Sequence, residues 1–272
     1  MASGRPSWVC FEAGLPTFVA AAVLATGGLC ARVGWGHDSP EHVIEALTAQ
    51  MQREGVSAPL LWRRAHEYRS LRRLDAATAD LERAVQLEPD RHEYLVELAR
   101  LELQSGRASA AIVRLNPLVA GGAGEQRLAA LSIRGEAFES LGQLEAALAD
   151  LTEASRERLD DVDLYLRRAG VQWRLGRLEE RLAGLEIGIS HTASAVLQIE
   201  RIDTLIDLGR VQEALPLVEA ELSDCRWQST WLIRRAQIWR ALGKRDASRA
   251  DALAAAQEID QRLHPQRPDP LL

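Results

Sequence analysis

The segment "WLIRRAQIWRALG", residues 231–243, has the apolar spacing of an amphipathic helix, yet two arginines, Arg234 and Arg235, lie in its middle. The same combination occurs in "LLWRRAHEYRSLR" at 60–72 and in "LYLRRAGVQWRLG" at 164–176. A pattern that returns along a chain at long intervals is typical of repeated structural units. These segments therefore predict a repeat architecture.

Glycines that follow the short apolar stretches set the period. They are Gly106, Gly142, Gly176, Gly209 and Gly243, with spacings of 36, 34, 33 and 34 residues. Arg72 stands one period before Gly106, where the surrounding pattern is kept but the glycine is not. Each unit has an apolar-periodic stretch, a glycine-marked turn and a second such stretch, which predicts two antiparallel helices.

These units resemble the tetratricopeptide (TPR) repeat. In that motif the first helix carries a small residue at position 8 and an aromatic at position 11, and glycine stands at position 15. The second helix carries alanine at positions 20 and 27 and a large apolar residue at position 24, and proline follows at position 32. The unit that starts at residue 58 supplies Ala65, Tyr68, Ala77, Leu81, Ala84 and Pro89. The small residues let two helices approach closely, and the large ones fill the gap.

The resemblance implies an all-α fold, a right-handed TPR α-solenoid of about six helix-turn-helix repeats. The solenoid is predicted over residues 58–263, with repeats that start near 58, 92, 128, 162, 195 and 229. Before it, residues 37–57 predict a capping helix with Ser39 as N-cap and Pro40 at the first helical position. Its apolar face would cover the open end of the stack. The proline-rich segment 264–272 is predicted to be a disordered tail.

The N-terminal segment contains an apolar run outside the repeats. Residues 15–31, "LPTFVAAAVLATGGLCA", carry no charge and lie between Arg5 and Arg32. Residues 1–36 are therefore interpreted as a signal peptide or an N-terminal anchor. We expect an exported protein, periplasmic or extracellular in a bacterium, that touches a membrane only through this segment if it is not cleaved. Lipid modification at Cys30 and a buried N-terminal helix are the alternatives.

Composition and motifs argue against several functions. The net charge of −6 does not favour nucleic acid as a partner. The six histidines have no metal-ligand spacing, and no serine or cysteine lies in a nucleophile motif, so we expect no metal, no cofactor and no enzymatic activity. The "GGAGEQ" segment at 121–126 lacks the Lys-Ser/Thr ending of a phosphate-binding loop and is interpreted as a linker between repeats.

Arginine recurs at position 7 of the repeat, as Arg64, Arg134, Arg168, Arg201 and Arg235, and only Leu98 interrupts the series. Sixteen residues later, on the second helix, stand Asp80, Asp150 and Asp251. We predict ion pairs between the two helices of the first, third and sixth repeats; a solvated face and a row that binds an acidic ligand are the alternatives. The second repeat has Arg114 at the aspartate position and is predicted to lack the pair. The preceding arginines, Arg63, Arg167 and Arg234, are predicted to be solvated.

The resemblance also implies where a partner would bind. In TPR proteins, positions 2, 5, 9, 12 and 13 of each first helix line a concave groove. The peptide-binding candidates at these positions are Trp62, His66, Arg69, Val96, Arg100, Leu103, Leu166, Trp173, Arg174, Ile199, Ile233 and Arg240. Their mixed chemistry suits an extended or helical peptide.

Two tryptophans stand out among the candidates. Trp62 and Trp173 are the two large aromatics among them, and we expect them to pack against neighbouring helices, with a role as binding hot spots as the alternative. The sequence thus predicts a non-enzymatic scaffold that binds a protein or peptide of unidentified chemistry on the concave face. The alternative is a structural subunit that self-associates through its repeats as a homo-oligomer, and an enzyme is the less favoured reading.

Overall fold

A computed structural model describes residues 39–264, and within that range the chain forms thirteen helices and no strand. The predicted signal or anchor at 1–36 lies outside the described residues, and so does the predicted tail after His264.

The helices follow one another as a lone helix and six pairs. The lone helix is α1 (Pro40–Glu54). The pairs are α2 (Ala58–Ser70) with α3 (Leu74–Leu87), α4 (His92–Gln104) with α5 (Ala108–Gly121), α6 (Gly124–Ser140) with α7 (Leu144–Glu157), α8 (Val162–Arg174) with α9 (Leu178–Thr192), α10 (Ala195–Asp207) with α11 (Val211–Asp224), and α12 (Ser229–Ala241) with α13 (Arg245–Leu263). We number these pairs repeats 1 to 6. Each helix packs on the next along the chain, and the first helices α4 and α6, α8 and α10, and α10 and α12 also contact one another.

The turn inside each repeat has the predicted left-handed residue. The five turn glycines have φ values between +71° and +75°. The residue after each glycine donates its N–H to a carbonyl five residues earlier, as Arg107 does to Glu102 at 2.7 Å, which ends the first helix in a Schellman motif. In repeat 1, Arg72 takes the same conformation with φ 59°. A non-glycine residue therefore occupies the turn position of this repeat.

Small residues lie where the helices of a pair meet. Ala65 and Ala77 are 2% and 0% exposed. At Gly135 an added Cβ would stand 3.1 Å from Cγ of Leu151, so a glycine is what lets α6 and α7 approach. The core is therefore a row of inter-helix contacts that continues from one repeat to the next.

The first helix covers the N-terminal end of the row. The Ser39 hydroxyl accepts a hydrogen bond from the His42 N–H at 3.5 Å, and Pro40 begins the helix. Leu47 and Met51 of α1 are buried in one cluster with Leu61 of α2.

One predicted loop is mostly helical. The linker predicted at 121–126 is wrong, because α5 continues through Gly121 and α6 already begins at Gly124. Gly124 has φ +64°, which lets the chain reverse within two residues. The early start makes α6 17 residues long and adds a turn before residue 128. Arg127 in that turn binds the carboxylates of Glu153 and Glu157 on α7.

Candidate functional site

In repeats 1, 3 and 6 the position-7 arginine binds the second helix of its own repeat, as the spacing predicts. In repeat 1, Nε and Nη2 of Arg64 each donate to a carboxylate oxygen of Asp80 at 2.7 Å. Arg134 makes the same bidentate contact with Asp150 at 2.8 and 2.7 Å, and Arg235 does so with Asp251 at 2.7 Å. The hydrogen bond with Asp80 raises the pKa of Arg64, and that with Asp251 raises the pKa of Arg235. These arginines join helices and are not available to an acidic ligand.

Repeat 2 has the same kind of pair with the charges exchanged. Leu98 is fully buried at position 7, and Arg114 of α5 binds Glu102 of α4 at 2.6 and 3.0 Å. The prediction that this repeat lacks an ion pair is therefore wrong. The acid lies on the first helix, one turn after position 7, and still reaches the facing arginine.

In repeat 4 the arginine is buried with no acid facing it. Arg168 is 8% exposed, and Gly184 stands where repeats 1, 3 and 6 have aspartate. A Cβ on Gly184 would lie 2.4 Å from Nη2 of Arg168, so the guanidinium occupies the space that a side chain would take. Arg168 donates to the Ser155 hydroxyl at 2.8 Å and lies over the Tyr165 ring at 5.2 Å. Burial lowers the pKa of Arg168 below its ordinary value.

Two of the three preceding arginines link neighbouring repeats. Arg234 binds Asp203 of repeat 5 at 2.6 Å, and Arg167 binds Glu136 of repeat 3 at 2.5 Å. The prediction that they are only solvated is wrong, because the first helices of adjacent repeats lie close enough for position 6 to reach position 9 of the preceding one. These bridges run along the face formed by the first helices, which we call the groove.

The structure places the groove candidates at different depths. Trp173, Ile233 and Trp62 are 57%, 41% and 40% exposed, so neither tryptophan is covered by its neighbours. Leu103, Leu166 and Ile199 are partly buried against core clusters. Val96 is only 6% exposed, in a cluster with Ala130 and Ile133 of α6, so its side chain offers little surface to a partner.

Most groove arginines are already bound to carboxylates of this chain. Glu97 accepts from Arg69 at 2.7 Å and from Arg100 at 3.0 Å. Arg174 binds Glu139 at 2.8 Å. Among the four arginine candidates, Arg240 is the one for which the described residues supply no acidic partner. His66 is exposed beside Arg69.

A hollow of the groove lies at its C-terminal end, between α10 and α12. It measures about 520 Å³. Its walls are Asp203, Ile206, Asp207, Ile233, Arg234, Gln237, Arg240 and Ala241. Asp207 also accepts a hydrogen bond from the indole N–H of Trp173 at 3.3 Å, which fixes the ring at the edge of this hollow. The prediction included Arg174 but not Asp207, which stands at the same repeat position.

Comparisons with known proteins agree with this arrangement. A family model described as tetratricopeptide repeat matches residues 58–91. A search of curated proteins finds no match. The solved C-terminal part of a TPR repeat-containing protein from Cytophaga hutchinsonii is similar with a TM-score of 0.66 and 16% identity, over 84% of this chain and 92% of that one. The chain folds as a TPR solenoid.

Two further structures are similar to this TPR solenoid. A tetratricopeptide repeat protein from Parabacteroides merdae has a TM-score of 0.54 and 19% identity, over 82% of this chain and 90% of that one. A structure of nearly identical TPR-like repeats from a Podospora anserina putative kinesin light chain has a TM-score of 0.52 and 20% identity, over 66% and 99%. At these identities the likeness concerns the fold alone.

Two kinds of feature are absent from residues 39–264. No group of three or more His, Cys, Asp and Glu side chains in this range is placed to hold a metal ion. None of its helices combines the length and the apolar character needed to cross a membrane. The groove of this TPR solenoid presents exposed apolar side chains and ion pairs between residues of this chain.

Proposed function

We propose that this TPR solenoid is a non-enzymatic scaffold that binds a protein or peptide segment in its groove. The observation that carries the proposal is the hollow of about 520 Å³ between α10 and α12, with Ile233 in its wall and Trp173 at its edge. Exposed aromatic and aliphatic side chains around a concavity are the usual anchors of a protein interface. The TPR fold is typical of protein-interaction scaffolds.

Charge indicates what kind of segment fits. In repeats 1 to 3 the groove carboxylates Glu97, Glu136 and Glu139 are bound by arginines of this chain. A ligand that used those charges would have to break an existing pair, which offsets what it gains. In repeats 5 and 6, Ile206 and Ile233 offer apolar contacts. Asp203 is bound by Arg234 and Asp207 by the Trp173 indole, so Arg240 is the cation of the hollow without an acidic partner among the described residues. The partner segment therefore presents apolar side chains with a carboxylate beside them.

The test begins with selection of peptides from a random displayed library on the full chain. Peptides that bind are then titrated calorimetrically against Trp173→Ala, Ile233→Ala and Arg240→Gln. We expect each apolar truncation to weaken binding about tenfold or more, since a buried anchor contributes about 1–2 kcal/mol or more. Arg240→Gln should weaken the binding of acidic peptides and leave the binding of their amide counterparts unchanged.

Val113→Ala is the matched control for this series. Val113 is 70% exposed but belongs to α5, a second helix outside the groove. Selected peptides that bind all four variants as tightly as the parent chain would contradict the groove proposal.

A further inference from the structure

The last repeat lacks a side chain that the other five have. At position 24 the second helices carry Leu81, Leu115, Leu151, Leu185 and Val218, all buried. In α13 the same position is Ala252, which is exposed. The shorter side chain leaves a mostly apolar socket of about 340 Å³ between α12 and α13. It is lined by Ile233, Ala236, Ala252, Ala255, Ala256 and Ile259 together with Gln237, Arg240 and Ser248.

The helix beside this socket has an uncovered apolar stripe. Ala252, Ala256, Ile259 and Leu263 follow one another at i, i+4, i+7 and i+11, so they lie on one side of α13. Ile259 is 38% and Leu263 69% exposed. Both belong to an extension, because α13 has 19 residues and α11 has 14. The extension therefore adds exposed apolar surface next to the socket.

The position of the stripe defines what can cover it. Between repeats, the corresponding side of each second helix is covered by the first helix of the next repeat, which runs antiparallel to it. Two copies of α13 related by a two-fold axis also run antiparallel. An axis near Ala254 places Ala252 of one copy opposite Ala256 of the other, and alanines allow two helices to approach closely.

The same register matches the remaining side chains. It brings Ile259 of each copy opposite the turn that contains Arg249 and Ala252 of the other, at the mouth of the socket. It also brings Arg249 to the region of Asp260 in the other copy, so opposite charges meet at both ends of the contact. A two-fold interface must be complementary to itself, and this stripe meets that condition.

We propose that two copies of this chain associate across a two-fold axis through α13, with Ile259 of each copy seated in the socket beside Ala252 of the other. Ala252→Leu and Ile259→Asp, which test the dimer, lie outside the hollow between α10 and α12, although the socket and that hollow share Ile233, Gln237 and Arg240.

Sedimentation velocity of the full chain, from low micromolar to several hundred micromolar concentration, tests the proposal. The parent chain should show a concentration-dependent monomer–dimer equilibrium. Ala252→Leu supplies the side chain that four other repeats have, fills the socket from within, and should raise the dimer dissociation constant about tenfold or more. Its unfolding temperature should be equal to or higher than that of the parent chain, because the added methyls fill a void.

A variant at an exposed position distinguishes loss of the dimer from a folding defect. Ile259→Asp changes an exposed residue and should give the same shift to monomer with an unchanged circular dichroism spectrum. Leu87→Ala, which truncates an equally exposed leucine at the end of α3, should leave the equilibrium unchanged. A chain that is monomeric at every concentration overturns the proposal, and so does a dimer that survives both Ala252→Leu and Ile259→Asp.

Discussion

At the scale of single residues, the fate of the position-7 side chain depends on what faces it. Arg64, opposite Asp80, makes two hydrogen bonds of 2.7 Å across the helix pair. Arg168, opposite Gly184, is buried against Ser155 and Tyr165 with no carboxylate among its described contacts. Burial of a charge without an opposite charge costs free energy that a paired charge recovers. An arginine at position 7 therefore stabilises repeat 1 and destabilises repeat 4.

The turn of repeat 1 supplies a residue-scale prediction. Arg72 has φ 59°, a conformation that glycine adopts in five other turns of this chain. Since Cβ crowding makes this conformation costly for a non-glycine residue, Arg72→Gly should raise the free energy of unfolding by about 1 kcal/mol. Urea denaturation followed by circular dichroism measures the change.

The neighbouring arginine is the control. Arg73 has φ −83°, which any residue adopts, so glycine brings no relief there and only adds unfolded-state entropy. Arg73→Gly should lower stability or leave it unchanged. Equal effects at the two positions would mean that backbone conformation does not explain the result for Arg72.

At the scale of elements, the α8–α9 pair of repeat 4 lacks the ion pair that joins the two helices of repeats 1, 3 and 6. Gly184→Asp would restore the acid opposite Arg168. The guanidinium must move, because Nη2 lies 2.4 Å from the new Cβ, but it is the end of a flexible side chain. We expect a gain of about 1–3 kcal/mol from a charged hydrogen bond and from removal of a mid-helix glycine.

The isosteric amide separates the two contributions. Gly184→Asn keeps the shape and the helix effect but not the charge, so it should stabilise less than Gly184→Asp in thermal denaturation. If aspartate and asparagine gave the same unfolding temperature, the buried arginine would have no need of an acid, and the comparison with repeats 1, 3 and 6 would fail.

The helix pairs were predictable from sequence because apolar period and turn glycines encode them directly. The early start of α6 was not, because the repeat motif contains no signal for Gly124 with φ +64°. The burial of Val96 was missed because position 5 is a groove position in the motif. The Arg114–Glu102 pair was missed because it uses position 11, where the motif expects an aromatic residue. The repeat motif therefore predicted the contacts at its own consensus positions, and contacts made by residues that depart from the consensus were missed.

At the scale of the whole molecule, a solenoid in which each repeat touches only its neighbours has no single centre. The Arg234–Asp203 and Arg167–Glu136 bridges follow this rule, since each joins adjacent repeats. Stability in such a stack is a sum of repeat and interface contributions. The hollow between α10 and α12 and the socket both lie toward the C-terminal end, so the N-terminal cap acts on them only through the intervening repeats.

Weakening the cap should therefore open the stack from one end. Leu47 of α1 is 4% exposed and packs in the cluster that contains Leu61. Leu47→Ala should cost about 2–5 kcal/mol at the α1–α2 interface. In hydrogen exchange followed by mass spectrometry, amides of α1 to α3 should exchange faster, and those of α10 to α13 should keep the parent rates, because the lost contacts do not reach them. Glu45→Ala, an exposed change on the same helix, should leave all rates unaltered. Uniform acceleration over the whole chain would instead identify the six repeats as one cooperative unit, and the additive account of this solenoid would be wrong.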